Sequence, residues 1–261
     1  MTFDILYEDS HCIVVAKPAG LLTQAPLGID SLEVQIKQLL KERENKPGNV
    51  YLGVPHRIDR PVSGAIVFAK NVRAARKISE QFEHRMVSKT YWALAEGTVE
   101  PDEGTWTDHL KKVYGKPRTQ VVGADDPEGR IAVLHYRVLD RFPERTLLEI
   151  ELETGRTHQI RIQAASRGHI LLGDELYGSQ IRFGPWSEDE RDRLIALHAR
   201  TLVFRHPMTR ETISVVAPLP GHWPPTAAPA EVAEIAEPAA TSAPAVRSEP
   251  LPSPLPPTPS D

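Results

Sequence analysis

Three short segments set charged side chains inside otherwise apolar text, and each holds residue types that can do chemistry. The first is His56-Arg57-Ile58-Asp59-Arg60-Pro61-Val62-Ser63-Gly64. Asp59 stands between two arginines, and neighbouring cations favour the charged form of a carboxyl group. A positioned carboxylate can serve as a nucleophile or a general base. Alone, the segment reads equally well as a surface turn with solvated charges. The second is Thr154-Gly155-Arg156-Thr157-His158-Gln159-Ile160-Arg161. Its glycine lets the backbone turn into a helix, whose free N–H groups and dipole suit an anion. Arg161 would lie one turn inside and could face a pocket; the alternative is a capped helix with Arg161 on its wet side. The third, Ser88-Lys89-Thr90-Tyr91-Trp92-Ala93-Leu94-Ala95, alternates as a strand, with Tyr91 and Ala93 on one face and Trp92 and Leu94 on the other. Either aromatic suits a core, and a tyrosine beside a basic loop also suits stacking on a nucleobase.

The elements around these segments follow from periodicity and breakers. Residues 11–17 (HCIVVAK) form a β-branched run closed by Pro18 and Gly20, a strand ending in a turn. The spacing of Leu32, Ile36, Leu39 and Leu40 predicts a helix over 30–44, capped by Asp30 or Ser31. Residues 50–54 and 65–69 read as short strands on either side of the Asp59 loop, a common place for functional groups. A second amphipathic helix is predicted over 72–86, with Val72, Ala75, Ile78, Phe82 and Met86 on one stripe. Further strands are predicted at 89–97, 132–139, 146–153, 201–205 and 212–217. A helix is predicted over 158–167, ending at Gly168, and another from a Ser187/Glu190 capping box toward Ala199. Strands outnumber helices and are joined by hairpin-length turns, which points to α+β with a largely antiparallel sheet.

The chain has 261 residues with 31 Lys+Arg and 35 Asp+Glu. Residues 221–261 hold five of the acids, one base and 11 of the 24 prolines, with few large apolar side chains, and read as a disordered, partly polyproline tail. The body, 1–220, then has 30 bases and 30 acids, so only local clusters can argue for a polyanion. Two exist. Residues 57–89 carry eight bases against three acids, and Lys111-Lys112-Val113-Tyr114-Gly115-Lys116-Pro117-Arg118 adds four bases around an aromatic. Such clusters can neutralise phosphates, although solvated helix faces would look similar. One cysteine, Cys12, excludes an internal disulfide and a Cys-rich zinc site. No basic-then-apolar leader and no long apolar span is present, so a cytoplasmic protein without a membrane partner is expected. There is no Walker loop, GxGxxG, nucleophile elbow or HExxH spacing, and no metal site is expected.

Taken in order, the motifs resemble the RluA/RluD-type family of RNA pseudouridine synthases. The likeness runs from Ile5-Leu6-Tyr7-Glu8-Asp9 and Val14-Val15-Ala16-Lys17-Pro18-Ala19-Gly20 through 56–64, Phe68-Ala69-Lys70 and Lys89-Thr90-Tyr91. It continues with 154–161, Gly173-Asp174, Tyr177-Gly178, Leu197-His198-Ala199 and Phe204-Arg205-His206-Pro207, and closes at Ala217-Pro218-Leu219-Pro220. The resemblance implies a catalytic domain over 1–220 of α+β class, with a mixed, mainly antiparallel sheet and a central catalytic cleft flanked by helices and loops. It implies isomerisation of uridine to pseudouridine in ribosomal or transfer RNA by a monomer without cofactor or metal. By the same resemblance Asp59 is the catalytic aspartate and Tyr91 the base-stacking tyrosine. Arg161 is the aspartate's partner, expected to hold it bidentately, and Arg57 helps eject the target base. The motif neighbours His56, Arg60, Ser63, Lys89, Arg156, Thr157, His158 and Gln159 are expected to bind substrate. Ile58 and Val62 depart from the family's usual Leu and Thr. The pattern starts by residue 4, so the small N-terminal RNA-binding domain of many members is expected to be absent.

Overall fold

The computed structural model describes residues 3–45 and 47–225. Ten strands join into one sheet: β1 (Asp4–Glu8), β2 (Cys12–Lys17), β3 (Ser63–Ala69), β4 (Ser88–Glu96), β5 (Glu103–Lys112), β6 (Thr119–Val122), β7 (Arg130–Phe142), β8 (Arg145–Leu152), β9 (Leu197–Arg205) and β10 (Thr212–Val216). Their order is β1-β2-β3-β9-β4-β8-β7-β5-β6, with β10 also on β9. Every pairing is antiparallel except β3 with β9, where Ser63 faces His198 and Gly64 faces Ala199. That crossing needs a glycine: Gly64 has φ +124°, and a Cβ there would lie 2.3 Å from the Ala199 carbonyl oxygen. The fold is therefore the expected α+β class with a mixed, mostly antiparallel sheet.

Alternation along the strands builds a core on each face. Ile13, Val15, Ile66, Phe68 and Ala93 point to one side, where helix α1 (Leu32–Arg43) delivers Leu32, Ile36 and Leu40. Helix α3 (Gln159–Ala165) adds Ile160 and Ala164 to the same side. Cys12, Val14, Ala65 and Val67 point to the other, under helix α2 (Val72–Glu83). Ser31 caps α1 by accepting the Val34 N–H (3.4 Å), and Asn71 caps α2 by accepting the Ala74 N–H (2.9 Å).

Several expectations change. The α2 stripe is rotated, with Ala74, Ile78 and Gln81 buried, Val72 67% exposed and Met86 beyond the helix end. Residues 50–54 form no strand; only Gly53 bridges Ala69, because Pro55 and the Asp59 loop leave no second residue in register. The helix predicted from Ser187 is a single 3-10 turn, Glu190–Asp192, capped by Asp189 rather than Ser187. Beyond it Ala196 donates to Leu172 O and accepts from Leu94 N–H, so the sheet captures this segment before a helix can continue. β5 and β6 escaped the sequence reading, because only Trp106 and Leu110 of β5 and Thr119 of β6 are buried. Trp223, read as part of the tail, is 7% exposed against Phe183 and His198, so the packed body includes it. Residues 226–261 of that tail lie outside the described residues.

Candidate active site

The three chemical segments converge on one cleft of about 780 Å³, within the range of small-ligand sites. Its walls are the 55–59 loop, the start of β4, the end of β8 and the turn leading into α3.

The Asp59 loop is held from behind. Thr23, in the connection between β2 and α1, donates its hydroxyl to Ile58 O (2.8 Å) and accepts the Ile58 N–H (3.2 Å). Gly20 N–H donates to Arg60 O (2.8 Å), and Arg60 Nε donates to Gly20 O (2.8 Å). The buried Lys17 Nζ donates to Pro18 O, Leu21 O and Arg60 O at 2.7–3.2 Å. Burial pulls the Lys17 pKa down to about 7, against the opposing charge of Asp59.

Asp59 itself reaches the cleft with 36% of its side chain exposed. Two nitrogens face its Oδ2: Arg161 Nη1 at 3.3 Å and His158 Nε2 at 3.6 Å. The fork of Arg161 goes elsewhere. Its Nε and Nη2 donate to Asp174 Oδ2 (2.7 Å) and Oδ1 (2.8 Å), and Asp174 is sealed at 1% exposure. The expectation of a bidentate Arg161–Asp59 pair is thus corrected: a second buried carboxylate takes two of the donors. Burial works against the Arg161 charge, but Asp174 and Asp59 outweigh it and raise its pKa. Because Asp174 lies behind Arg161, it cannot act from the cleft as a partner acid.

Tyr91 packs its ring on the first core and lines the cleft; burial, with the Asp59 charge, raises its phenol pKa, so it stays protonated. Arg57 is exposed on the wall. Lys89 also lines the cleft, with Nζ 5.6 Å from the Phe82 ring centroid, and burial lowers its pKa. His56 stacks on Phe82 and accepts the Val67 N–H on Nε2 (3.1 Å); burial pushes its pKa down to about 3. Gln159 is buried and shapes the turn: Oε1 accepts from Thr154 Oγ1 and Arg156 N–H, and Nε2 donates to Val133 O. Arg156 Nε donates to Ile131 O, and the exposed Thr157 is tied through its carbonyl to Thr119. Two expected substrate contacts lie off the cleft. Arg60 points to Gly20 O and Asp192, and Ser63 is buried on His198 Nδ1 (2.8 Å), because the chain turns into β3 there.

Lys17, Thr23, Asp174 and Tyr177 are the supporting residues that residue types alone did not single out. Lys17, Asp174 and Tyr177 are carried only by the order of the family-like motifs, and Thr23 lies in none of them. Among the described residues, Asp9, Cys12 and His206 have ligand atoms within 4.8 Å of one another. Hydrogen bonds account for that group: Asp9 accepts the His11 and Cys12 N–H groups and His206 Nε2, while His206 Nδ1 accepts the Thr209 N–H.

A carboxylate beside a guanidinium and an imidazole, in an open cleft also lined by a protonated phenol, suits chemistry at a centre that develops positive charge. Comparison with known proteins places the chain in a family. The RNA pseudouridylate synthase family model matches residues 11–166. An uncharacterized RNA pseudouridine synthase of Synechocystis is 34% identical over 84% of this chain and 66% of its own length. The ribosomal large subunit pseudouridine synthase D of Xanthomonas campestris is 36% identical over 83% of this chain and 66% of its own. The chain therefore spans about two thirds of the length of these curated relatives. Among solved structures, human RNA pseudouridylate synthase domain containing 4 superposes with a TM-score of 0.67 at 26% identity, covering 83% of this chain and 88% of that one. By sequence, by fold and by the order of its motifs, this chain belongs to the RluA/RluD-type family of RNA pseudouridine synthases.

Proposed function

We propose that the protein isomerises uridine to pseudouridine in structured RNA, ribosomal or transfer, with Asp59 as the catalytic carboxylate. The observation that carries this is the meeting of Asp59, Arg161 and Tyr91, far apart in sequence, at one open cleft with basic residues on its wall.

The target base leaves its stack at a cost of a few kcal/mol, and an aromatic wall and a basic loop offset it. Arg57 stands at the exposed wall to support that eversion, and Tyr91 flanks the base. Breaking the C1′–N1 bond develops positive charge at C1′. Asp59 stabilises it, traps it as an ester, or takes a sugar proton; one guanidinium donor leaves the carboxylate free for any of these. The freed uracil turns and rejoins the sugar through C5. The body's even charge fits recognition by RNA shape at the cleft.

The test uses total RNA from cells lacking this protein, treated with wild type or Asp59→Ala and mapped by carbodiimide labelling and primer stops. New stops with wild type and none with the variant are expected. Equal stops in both would remove Asp59 from the chemistry, and RNA binding without stops from wild type would make the protein an RNA-binding factor.

A further inference from the structure

Joining C5 to C1′ leaves one further chemical task, removal of the C5 proton, which the role of Asp59 at C1′ does not itself assign. The new bond draws electrons from C5=C6 and leaves C5 saturated, with N1=C6 in the ring. To finish, the C5–H bond must break and its electrons must restore C5=C6. The N1=C6 pair then returns to N1, which takes a proton. One proton is removed at C5 and one is supplied at N1, so the reaction needs a base beside C1′, and therefore beside Asp59.

The groups around the cleft narrow the choice. Arg161 has no lone pair to offer. Lys89 Nζ lies over the Phe82 ring, 5.6 Å from its centroid, rather than against Asp59. Tyr91 is held as the phenol. Lys17 Nζ is committed to three carbonyls and His56 Nε2 to the Val67 N–H. His158 differs from all of these. Its Nε2 is 3.6 Å from Asp59 Oδ2, and its side chain is 13% exposed at the cleft wall. Its backbone is left-handed, φ +54°, a conformation that histidine accommodates better than most residues other than glycine and asparagine. Its other ring nitrogen is held from behind, with Nδ1 3.0 Å from Tyr177 Oη. That hydroxyl accepts the Thr119 N–H (2.9 Å) and also lies 3.3 Å from Thr119 O. With the Tyr177 proton turned to Thr119 O, Nδ1–H donates to Tyr177 and the Nε2 lone pair faces the cleft. Once Nε2 is protonated, the imidazolium has Tyr177 on one side and the Asp59 carboxylate on the other. This is the arrangement of a base oriented by a third group.

We propose that His158 takes the C5 proton on Nε2 and that Tyr177 fixes the tautomer that lets it do so. The proposal rests on the isomerisation assigned above. The same proton, or one from water, then goes to N1, and the imidazole ends as it began. The charged and titratable groups facing His158 are Asp59 on the catalytic loop, Arg161 on α3, Asp174 on the following turn, Lys112 on β5 and Tyr177, over whose ring Arg118 lies. Burial, then the Arg161 charge, lowers the His158 pKa and keeps the resting ring neutral.

The test compares wild type, His158→Asn, His158→Gln and Asp59→Asn on total RNA from cells lacking this protein, grown on uracil or on [5-²H]uracil. Asn tolerates the left-handed backbone, and Gln keeps more of the reach. A loss of about 100-fold in rate at saturating RNA is expected for the His158 variants, typical of removing a general base, with little change in KM. The deciding readout is a primary deuterium effect that appears in the variants and is absent or smaller in wild type. A His158 variant at the wild-type rate, or one slowed equally on both RNAs, overturns the proposal. If His158→Asn does not fold, His158→Gln or Tyr177→Phe, which keeps the ring and loses its anchor, is judged by the same isotope effect. An active Asp59→Asn would instead sink the underlying assignment of Asp59, whatever the His158 variants do.

Discussion

Arg161 divides its guanidinium unevenly, two donors to a buried carboxylate and one to an accessible one. The fork to Asp174 fixes where the third nitrogen points, so the contact with Asp59 depends on a residue that never meets the cleft. Removing Arg161 alone leaves Asp174 charged, unpaired and 1% exposed, and breaking a buried pair from one side costs about 3–5 kcal/mol. Arg161→Met is expected to lower the unfolding free energy by that amount in chemical denaturation. Adding Asp174→Asn removes the orphaned charge and is expected to recover most of the stability, because neutral replacements of a buried pair are often tolerated. Pseudouridine formation should remain lost in the double variant. A double variant as active as the wild type would show that Arg161 matters for packing alone.

At the scale of elements, the Asp59 loop is a connection made rigid by its neighbours. Thr23 satisfies both backbone groups of Ile58, one residue before Asp59, from a segment 35 residues away in sequence. Thr23→Val keeps the volume and leaves a buried N–H and C=O without that partner, a cost of about 1–3 kcal/mol. The expected outcome is a lower single-turnover rate with unchanged RNA affinity, since Thr23 does not line the cleft; weakened RNA binding in a titration would contradict it. Such ties explain what the sequence left unread. Asp59, Tyr91 and Arg161 sit in contiguous motifs, so their types and neighbours could be read together. Asp174 and Tyr177 lie in family-like motifs without a role of their own, and Thr23 in none; each becomes a supporting residue only where the chain returns to the cleft. The same holds for strands: β3 reads as seven buried residues in a row, whereas β5 is half-exposed and its Trp106–Leu110 spacing carries no period-two signal. The predicted helix after Ser187 failed for the opposite reason. Its capping pattern also shifted: Asp189, not Ser187, caps a single 3-10 turn, and pairing with β4 took the chain beyond it.

Across the whole molecule, the parallel contact between β3 and β9 joins the Asp59 loop to a strand about 135 residues further along, and a buried histidine closes it. His198, 1% exposed, accepts the Ser63 hydroxyl on Nδ1 (2.8 Å) and donates from Nε2 to Ala217 O (3.2 Å). Both ring nitrogens are used by the neutral form, and burial pushes the pKa down to about 4. In the unfolded chain the same ring titrates near about 6.5. Above that value neither state holds the proton and the histidine's contribution is complete. Below it the unfolded chain takes a proton that the folded one refuses until about pH 4, so stability falls as the solution is acidified. The slope from this one group is about 1.4 kcal/mol per pH unit, or about 2 kcal/mol between pH 6.5 and 5. Urea unfolding at pH 7 and pH 5 should show at least that loss in the wild type. His198→Gln lowers the starting stability and, lacking a group that titrates here, should lose less between the two pH values. An equal loss in both proteins would mean that acid acts elsewhere, and that the joint between the Asp59 loop and β9 is indifferent to pH.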